Sequence, residues 1–109
     1  MEALLVFITA SSEEEAERIT EALLAPRLVA CVNRVSGVQS QFWWQGSRDQ
    51  AAEVLLLAKT RRELWDRVLA AVRAVHSYEV FEAIAVPIVE GNPDYLEWVA
   101  QVTEQTVQD

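Results

Sequence analysis

Residues 28–59 read LVACVNRVSGVQSQFWWQGSRDQAAEVLLLAK, and the order of elements along the whole chain turns on this stretch. LVACVNRV (28–35) has the β-branched, apolar composition of a strand, and Ser36-Gly37 supplies a bulge before VQSQFWW carries it on to residue 44. Gln45 to Gln50 read as the turn, and EVLLLAK (53–59) returns as the next strand. The result is a long hairpin with Trp43 and Trp44 at its far end. Successive side chains in a strand point to opposite faces, so the two rings cannot enter one core. Val38, Ser40, Phe42 and Trp44 share one face; Gln39, Gln41 and Trp43 share the other. Something outside the hairpin must cover the second ring. A ribbon of this length also overshoots its neighbours and leaves edges open, which predicts that it packs against a neighbouring subunit.

Outward from the hairpin, ALLVFIT (3–9) is a continuous apolar run, as expected of a central strand buried on both faces. Ser12 and Glu15 form an S-x-x-E capping box, followed by Ala16, Ile19, Leu23 and Leu24 on one helical face until Pro26. Thr60 and Glu63 repeat the signal ahead of Leu64, Trp65, Val68, Leu69 and Val72, a second helix ending near His76. FEAIAVPIV (81–89) is the fourth strand. Gly91-Asn92-Pro93 opens a third helix with Asn92 as cap, facing Leu96, Val99 and Val102 inward and leaving Trp98 at their margin. The order β-α-β-β-α-β-α predicts an α+β, ferredoxin-like split βαβ subunit with an extra C-terminal helix. Two helices then cover one sheet face. The other face is left for the third helix and for copies of the same chain.

The bulk numbers agree with one domain over residues 1–109: the chain is 51% apolar and 24% charged, the balance of a globular protein. Cys31 is the only cysteine, so no internal disulfide forms and a cytoplasmic setting is expected. MEALLVFITASS has an acid at Glu2, no early base and an apolar run too short to cross a bilayer, so neither secretion nor membrane insertion is expected. Seventeen acidic against nine basic residues leave 17 − 9 = 8 negative charges, which repel a phosphate backbone and exclude nucleic acid as a partner class. Gly37, Gly46 and Gly91 are scattered, so neither G-x-G-x-x-G nor a P-loop exists and no organic cofactor is indicated.

Candidate chemistry concentrates in His76-Ser77-Tyr78-Glu79-Val80-Phe81-Glu82, which holds the single histidine. Cys31 and His76 are the donors for a soft or borderline ion such as copper or zinc, with Glu79 or Glu82 as a third. Two strong ligands are too few for a closed site, and neither C-x-x-C nor H-x-x-x-H spacing occurs, so a metal must borrow donors from another subunit. The structural alternatives stand beside these: His76 offsetting a helix dipole, Cys31 filling a core, Lys59 reaching to solvent. Lys59 also fits a second function, a pocket for a small anion or metabolite formed with His76 and the aromatics.

ACVN at 30–33, FWWQG at 42–46, VLLLAKT at 54–60, HSYEVFEAIAVPI at 76–88 and GNPDYLEWV at 91–99 together resemble, in order and spacing, the CutA divalent-cation-tolerance family. The resemblance spans nearly the whole chain. It implies a tight homotrimer with hairpins joining sheets between subunits and a polar pocket at each interface. It also implies a link to tolerance of divalent metals, with copper bound by some members and no established reaction. In animals a related protein is associated with membrane anchoring of acetylcholinesterase. The pocket positions that match here are Cys31, Trp44, Lys59, His76, Tyr78, Glu79 and Glu82. Where the family pattern has His-Pro-Tyr-Glu and Val-Pro-Glu, this chain has Ser77 and Phe81. Losing both prolines is expected to free two backbone N–H groups and loosen the segment around the site.

Overall fold

The structure, a computed structural model, describes residues 1–104. Its elements are β1 (Ala3–Ala10), α1 (Glu13–Leu24), β2 (Cys31–Trp44), β3 (Ser47–Arg61), a 3₁₀ turn (Arg62–Leu64), α2 (Trp65–Val75), β4 (Ala83–Pro87) and α3 (Pro93–Glu104). This is the expected β-α-β-β-α-β-α order, folded as a four-stranded antiparallel sheet in the order β2-β3-β1-β4. Val6, Ile8 and Ala10 of β1 and Val54, Leu56 and Ala58 of β3 face the buried side of α1 (Ala16, Ile19, Leu23) and of α2 (Val68, Val72), which closes the core. Ser12 caps α1 by accepting the Glu15 N–H at 3.1 Å, and Asn92 caps α3 by accepting the Asp94 N–H at 3.1 Å.

Several boundaries differ from the sequence reading, and β2 begins at Cys31, not at Leu28. The hairpin turn is only Gln45-Gly46: Trp44 pairs with Ser47, and both turn residues have positive φ, 50° and 82°, the geometry of a type I′ turn. Ser47 to Gln50 therefore belong to β3. Their polarity imitates a loop because this end of the ribbon has no core to face. Thr60 does not cap α2; it is a strand residue whose hydroxyl donates to the Leu28 carbonyl at 2.7 Å, while the backbone turns through the 3₁₀ segment with no side-chain cap. The fourth strand is shorter than expected, Ala83–Pro87, limited by its ladder to β1 between Ile8 and Leu4.

The bulge at Ser36-Gly37 falls as expected, with Gly37 at φ 77°. Val35 opposes Leu55 and Val38 opposes Glu53, so β2 gains one residue on β3 there. That extra residue exchanges the parity of the strand. Cys31, Asn33 and Val35 before it and Val38, Ser40, Phe42 and Trp44 after it consequently share the face turned away from α1 and α2. On this face α3 covers one end, held by Val99 and by Arg61, whose Nε donates to the Thr103 hydroxyl at 3.0 Å. The rest is bare. Val35, Phe42, Trp44, Ile84 and Val86 are all exposed, and Trp43 on the opposite face is 73% exposed.

The turn carries a local prediction. Gln45 sits in the left-handed region, which asparagine adopts more readily, so Gln45→Asn is expected to raise the unfolding free energy by about 0.5–1 kcal/mol. Chemical denaturation reads this directly; a loss of stability would contradict the turn assignment.

Candidate functional site

β1 stops at Ala10, opposite Val54, so the hairpin beyond Glu53 overhangs the sheet. The segment after α2 runs beside that overhang, and between them lies an open cleft of about 820 Å³. Its lining brings Asp49 and Glu53 of β3 together with Glu79 and Glu82, the hydroxyl-bearing Tyr78, and the rings of Phe42, Trp43 and Trp44. Among the described residues no basic side chain lines it. Glu53 is 7% exposed, and the Tyr78 hydroxyl is hydrogen-bonded to its carboxylate. Burial first, then this bond and the negative charge of Glu53 and Glu15, push the Tyr78 phenol above its ordinary pKa.

His76 stands behind Tyr78 with its side chain fully buried. A backbone carbonyl can only accept and a backbone N–H can only donate, so the contacts assign the ring. Nε2–H donates to the Thr9 carbonyl at 2.8 Å, and Nδ1 accepts the Tyr78 N–H at 3.0 Å. Both nitrogens are occupied. In this arrangement the imidazole braces the cleft wall, with Phe81 stacked on it at 5.0 Å and 18° between planes.

The brace continues into Glu15. Its Oε1 accepts from the Ser11 N–H at 2.8 Å and the Ser11 hydroxyl at 2.9 Å, and its Oε2 accepts the Ser77 N–H at 2.6 Å. The capping box is thus only half used: Glu15 turns to Ser11 and Ser77, not back to its own cap. Burial alone would raise the carboxyl's pKa, but these bonds outweigh it and hold the value at about 2. The two positions that lack the family's prolines each take part in contacts of their own. The Ser77 N–H that a proline would lack is bound to a buried carboxylate, and Phe81 lies between His76 and the Arg73 guanidinium, 5.2 Å from the ring centre.

The matching site residues thus divide into two groups. Trp44, Tyr78, Glu79 and Glu82 meet at the cleft, with His76 behind them. Cys31 and Lys59 pair across β2 and β3 on the sheet face turned from α1 and α2. There the Lys59 Nζ bonds the Asn33 amide oxygen and lies 3.9 Å from Cys31 Sγ. Burial and the adjacent Cys31 raise the pKa of the Tyr95 phenol, which places α3 over this second group. Cys31 and His76 share no contact in these networks. Among the described residues no three of His, Cys, Asp and Glu gather where they could hold one metal ion. One chain alone does not fit a resident metal. Glu15, Asp49 and Glu53 were missed by sequence reasoning; for Glu53 the available signal was an acid opening an otherwise apolar strand.

An α+β chain with a four-stranded antiparallel sheet, three helices and an acidic, aromatic-lined cleft under an overhanging hairpin is the class these observations define. The family model for the CutA1 divalent ion tolerance protein matches residues 4–102, and the chain belongs to that family. The divalent-cation tolerance protein CutA of Thermus thermophilus is 44% identical over 99 residues, 91% of this chain and 96% of that protein. Its solved structure superposes with a TM-score of 0.91 over 93% of this chain and 98% of the other. CutA1 from Oryza sativa is 40% identical with a TM-score of 0.92, covering 94% of both chains in the crystal structure. The chain spans 59% of the full rice chloroplastic protein and 55% of the mouse protein CutA, to which it is 44% identical over 98 residues, 90% of this chain. A structure from Archaeoglobus fulgidus, described as a periplasmic divalent cation tolerance protein, is 40% identical with a TM-score of 0.90, covering 93% of this chain and 98% of that one. No helix among the described residues is long and apolar enough to cross a membrane.

Proposed function

We propose that this chain acts in divalent-cation tolerance as a homotrimer of ferredoxin-like subunits, each a single domain, and that the cleft closes into a cation-binding pocket where the hairpin meets a neighbour. The observation that carries the reading is the charge of the cleft: among the described residues, four carboxylates and no base line it. Such a lining attracts cations and repels anions. The family's name supports the cation, and the bare apolar face supports the assembly. Because no three donors of one chain gather, copper or another divalent ion needs donors from a second subunit. Cys31, on the sheet face turned from α1 and α2, is the soft donor available to such a shared site. The alternative, an intersubunit pocket for a small anion, centres on Lys59, which is bonded to Asn33 beside Cys31 and, like Cys31, lies outside the lining of this cleft. A cytoplasmic setting belongs to the same proposal and rests on the free thiol.

Isothermal titration with Cu(I), Cu(II) and Zn(II) tests the site on wild type, Glu82→Gln and Cys31→Ala. Glu82→Gln is expected to weaken the best-bound ion by about tenfold or more, near 1.4 kcal/mol. Loss in Cys31→Ala alone would move the metal to the sheet face, and no heat from any ion would end the reading.

A further inference from the structure

His76 is the only histidine of the chain, so a second copy can lend a shared site no imidazole except the same residue in the same setting. What that residue is bonded to within one subunit therefore decides whether a bound ion meets a ring nitrogen. The Ile88 N–H donates to the Ala3 carbonyl at 2.9 Å, so Ala3 and every second residue after it, Leu5, Phe7 and Thr9, turn their carbonyls towards β4. The ladder between β1 and β4 ends at the pair Ile8 and Ala83. Thr9 carries the next carbonyl, and the strand that would serve it has not yet begun. His76 Nε2–H takes that place at 2.8 Å. The residue's own backbone N–H donates to the Val72 carbonyl at 2.9 Å and closes α2, while Nδ1 accepts the Tyr78 N–H at 3.0 Å. One side chain thus joins the end of α2, the edge of β1 and the segment that carries Tyr78.

A ligating imidazole commonly gives its second N–H to a carbonyl, as Nε2 does here, so Nδ1 is the nitrogen left for an ion. Its lone pair already accepts the Tyr78 N–H, and an ion there would leave that donor unpaired. The approach is closed as well. The side chain is fully buried in the single chain, before any neighbour adds cover, with Phe81 stacked at 5.0 Å and Tyr78 at 5.1 Å. Glu15 Oε1, 3.8 Å from Nδ1, is beyond hydrogen-bond reach of the ring and accepts from Ser11 instead. We propose that His76 is a positioning residue held in the Nε2–H form, and that the assembly binds its ions through oxygen and sulfur donors with no imidazole among them. This rests on the cation reading given above and corrects the pairing of His76 with Cys31 expected from the sequence. The histidine has a different task, to hold Tyr78 where its hydroxyl meets Glu53.

Long-range proton–nitrogen NMR spectra of the nitrogen-labelled full chain report on a single imidazole and test this directly. The expected pattern is a protonated Nε2 and a bare Nδ1, unchanged when Zn(II) is added to saturation. Variants separate positioning from ligation. His76→Asn sets an amide oxygen near the place of Nδ1 and keeps an acceptor for Tyr78, whereas the longer His76→Gln reaches towards Thr9 and offers Tyr78 none. Exchange of the Tyr78 amide hydrogen is expected to quicken by about tenfold or more in His76→Gln and to stay nearer wild type in His76→Asn, with Zn(II) affinity falling in the same order. Equal loss of Zn(II) binding in the two variants would instead mark the ring as a ligand. So would movement of Nδ1 to the resonance of a metal-bound nitrogen, or imidazole nitrogen coupling in the paramagnetic resonance of bound Cu(II). Any of these, or a metal-free ring protonated at Nδ1, overturns the proposal. The wild-type spectrum keeps the test decisive if neither variant folds. If an ion binds through the ring, the proposal falls and the cation reading stands; if no ion binds, the cation reading falls and the metal-free spectrum alone decides the ring.

Discussion

Glu15→Ala is expected to lower the unfolding free energy by roughly 3–5 kcal/mol, the largest single-residue loss outside the apolar core. The carboxylate is fully buried and accepts from the Ser11 N–H, the Ser11 hydroxyl and the Ser77 N–H. Removing it leaves those donors facing a cavity, and each lost partner costs the desolvation of the group left behind. Glu15→Gln is the sharper variant, because it keeps the volume but presents an NH₂ where donors converge. Urea denaturation measures both. A cost below about 1 kcal/mol for Glu15→Ala would mean that water replaces the carboxylate and that the network does not brace the segment. The consequence reaches the cleft, since Ser77 lies between His76 and Tyr78, and Tyr78 holds Glu53.

The same residue sets an acid limit. The carboxyl ordinarily titrates at 4.5 and is held at about 2 in the folded chain, so the unfolded chain takes up the proton first as pH falls. Its contribution is therefore fully present above 4.5 and is lost as pH falls through about 2. At 1.36 kcal/mol per pH unit the gap amounts to on the order of 3 kcal/mol. The stability difference between wild type and Glu15→Gln is expected to be full near about pH 7 and to shrink towards about pH 2. A difference independent of pH over that range would assign the loss to packing alone.

The sequence is legible where burial imposes a period. ALLVFIT, the apolar faces of α1 and α2, and the Ser36-Gly37 bulge all read correctly because a core or a forced φ stands behind each. Legibility fails where that constraint is missing. Arg48, Asp49 and Gln50 pair as strand residues opposite Trp43, Phe42 and Gln41, yet no core selects apolar partners for them, so they resemble a loop. Thr60 and Glu63 have the spacing of a cap, but the Leu28 carbonyl competes for the hydroxyl and wins. At the site, the cluster from His76 to Glu82 is visible as a concentration of titratable groups. The chain separation between Cys31 and His76 fixes no distance, and only the fold shows that they lie in separate networks. Glu53 was hidden for the opposite reason: an acid just ahead of the apolar run VLLLAK looks like a strand-end charge until the fold gives it a buried place beside Tyr78.

Trp44→Glu and Val35→Glu are each expected to take the trimer proposed above, three times 12.3 kDa or about 37 kDa, down towards the 12.3 kDa single chain in sedimentation. Both side chains are exposed in the single chain, Trp44 by 48% and Val35 by 44%, so either change alone alters the stability of an isolated subunit by about 0.5 kcal/mol or less. In the assembly the effect is different in kind. From Ser47 to Glu53, β3 has lost β1 as a neighbour, and β2 has an open edge along its whole length, so the ribbon presents unpaired backbone as well as apolar rings. A neighbouring chain that pairs that edge and covers those rings buries Trp44 in the process, and a carboxylate there must then be desolvated without a partner, at several kcal/mol per interface. Closed symmetry repeats the loss at every interface of the ring. Wild type sedimenting as a 12.3 kDa monomer at micromolar concentration would remove the assembly outright. Variants that hold the wild-type mass would place the subunit contact elsewhere and leave the overhanging hairpin, with its two indoles, without the cover that its sequence demands.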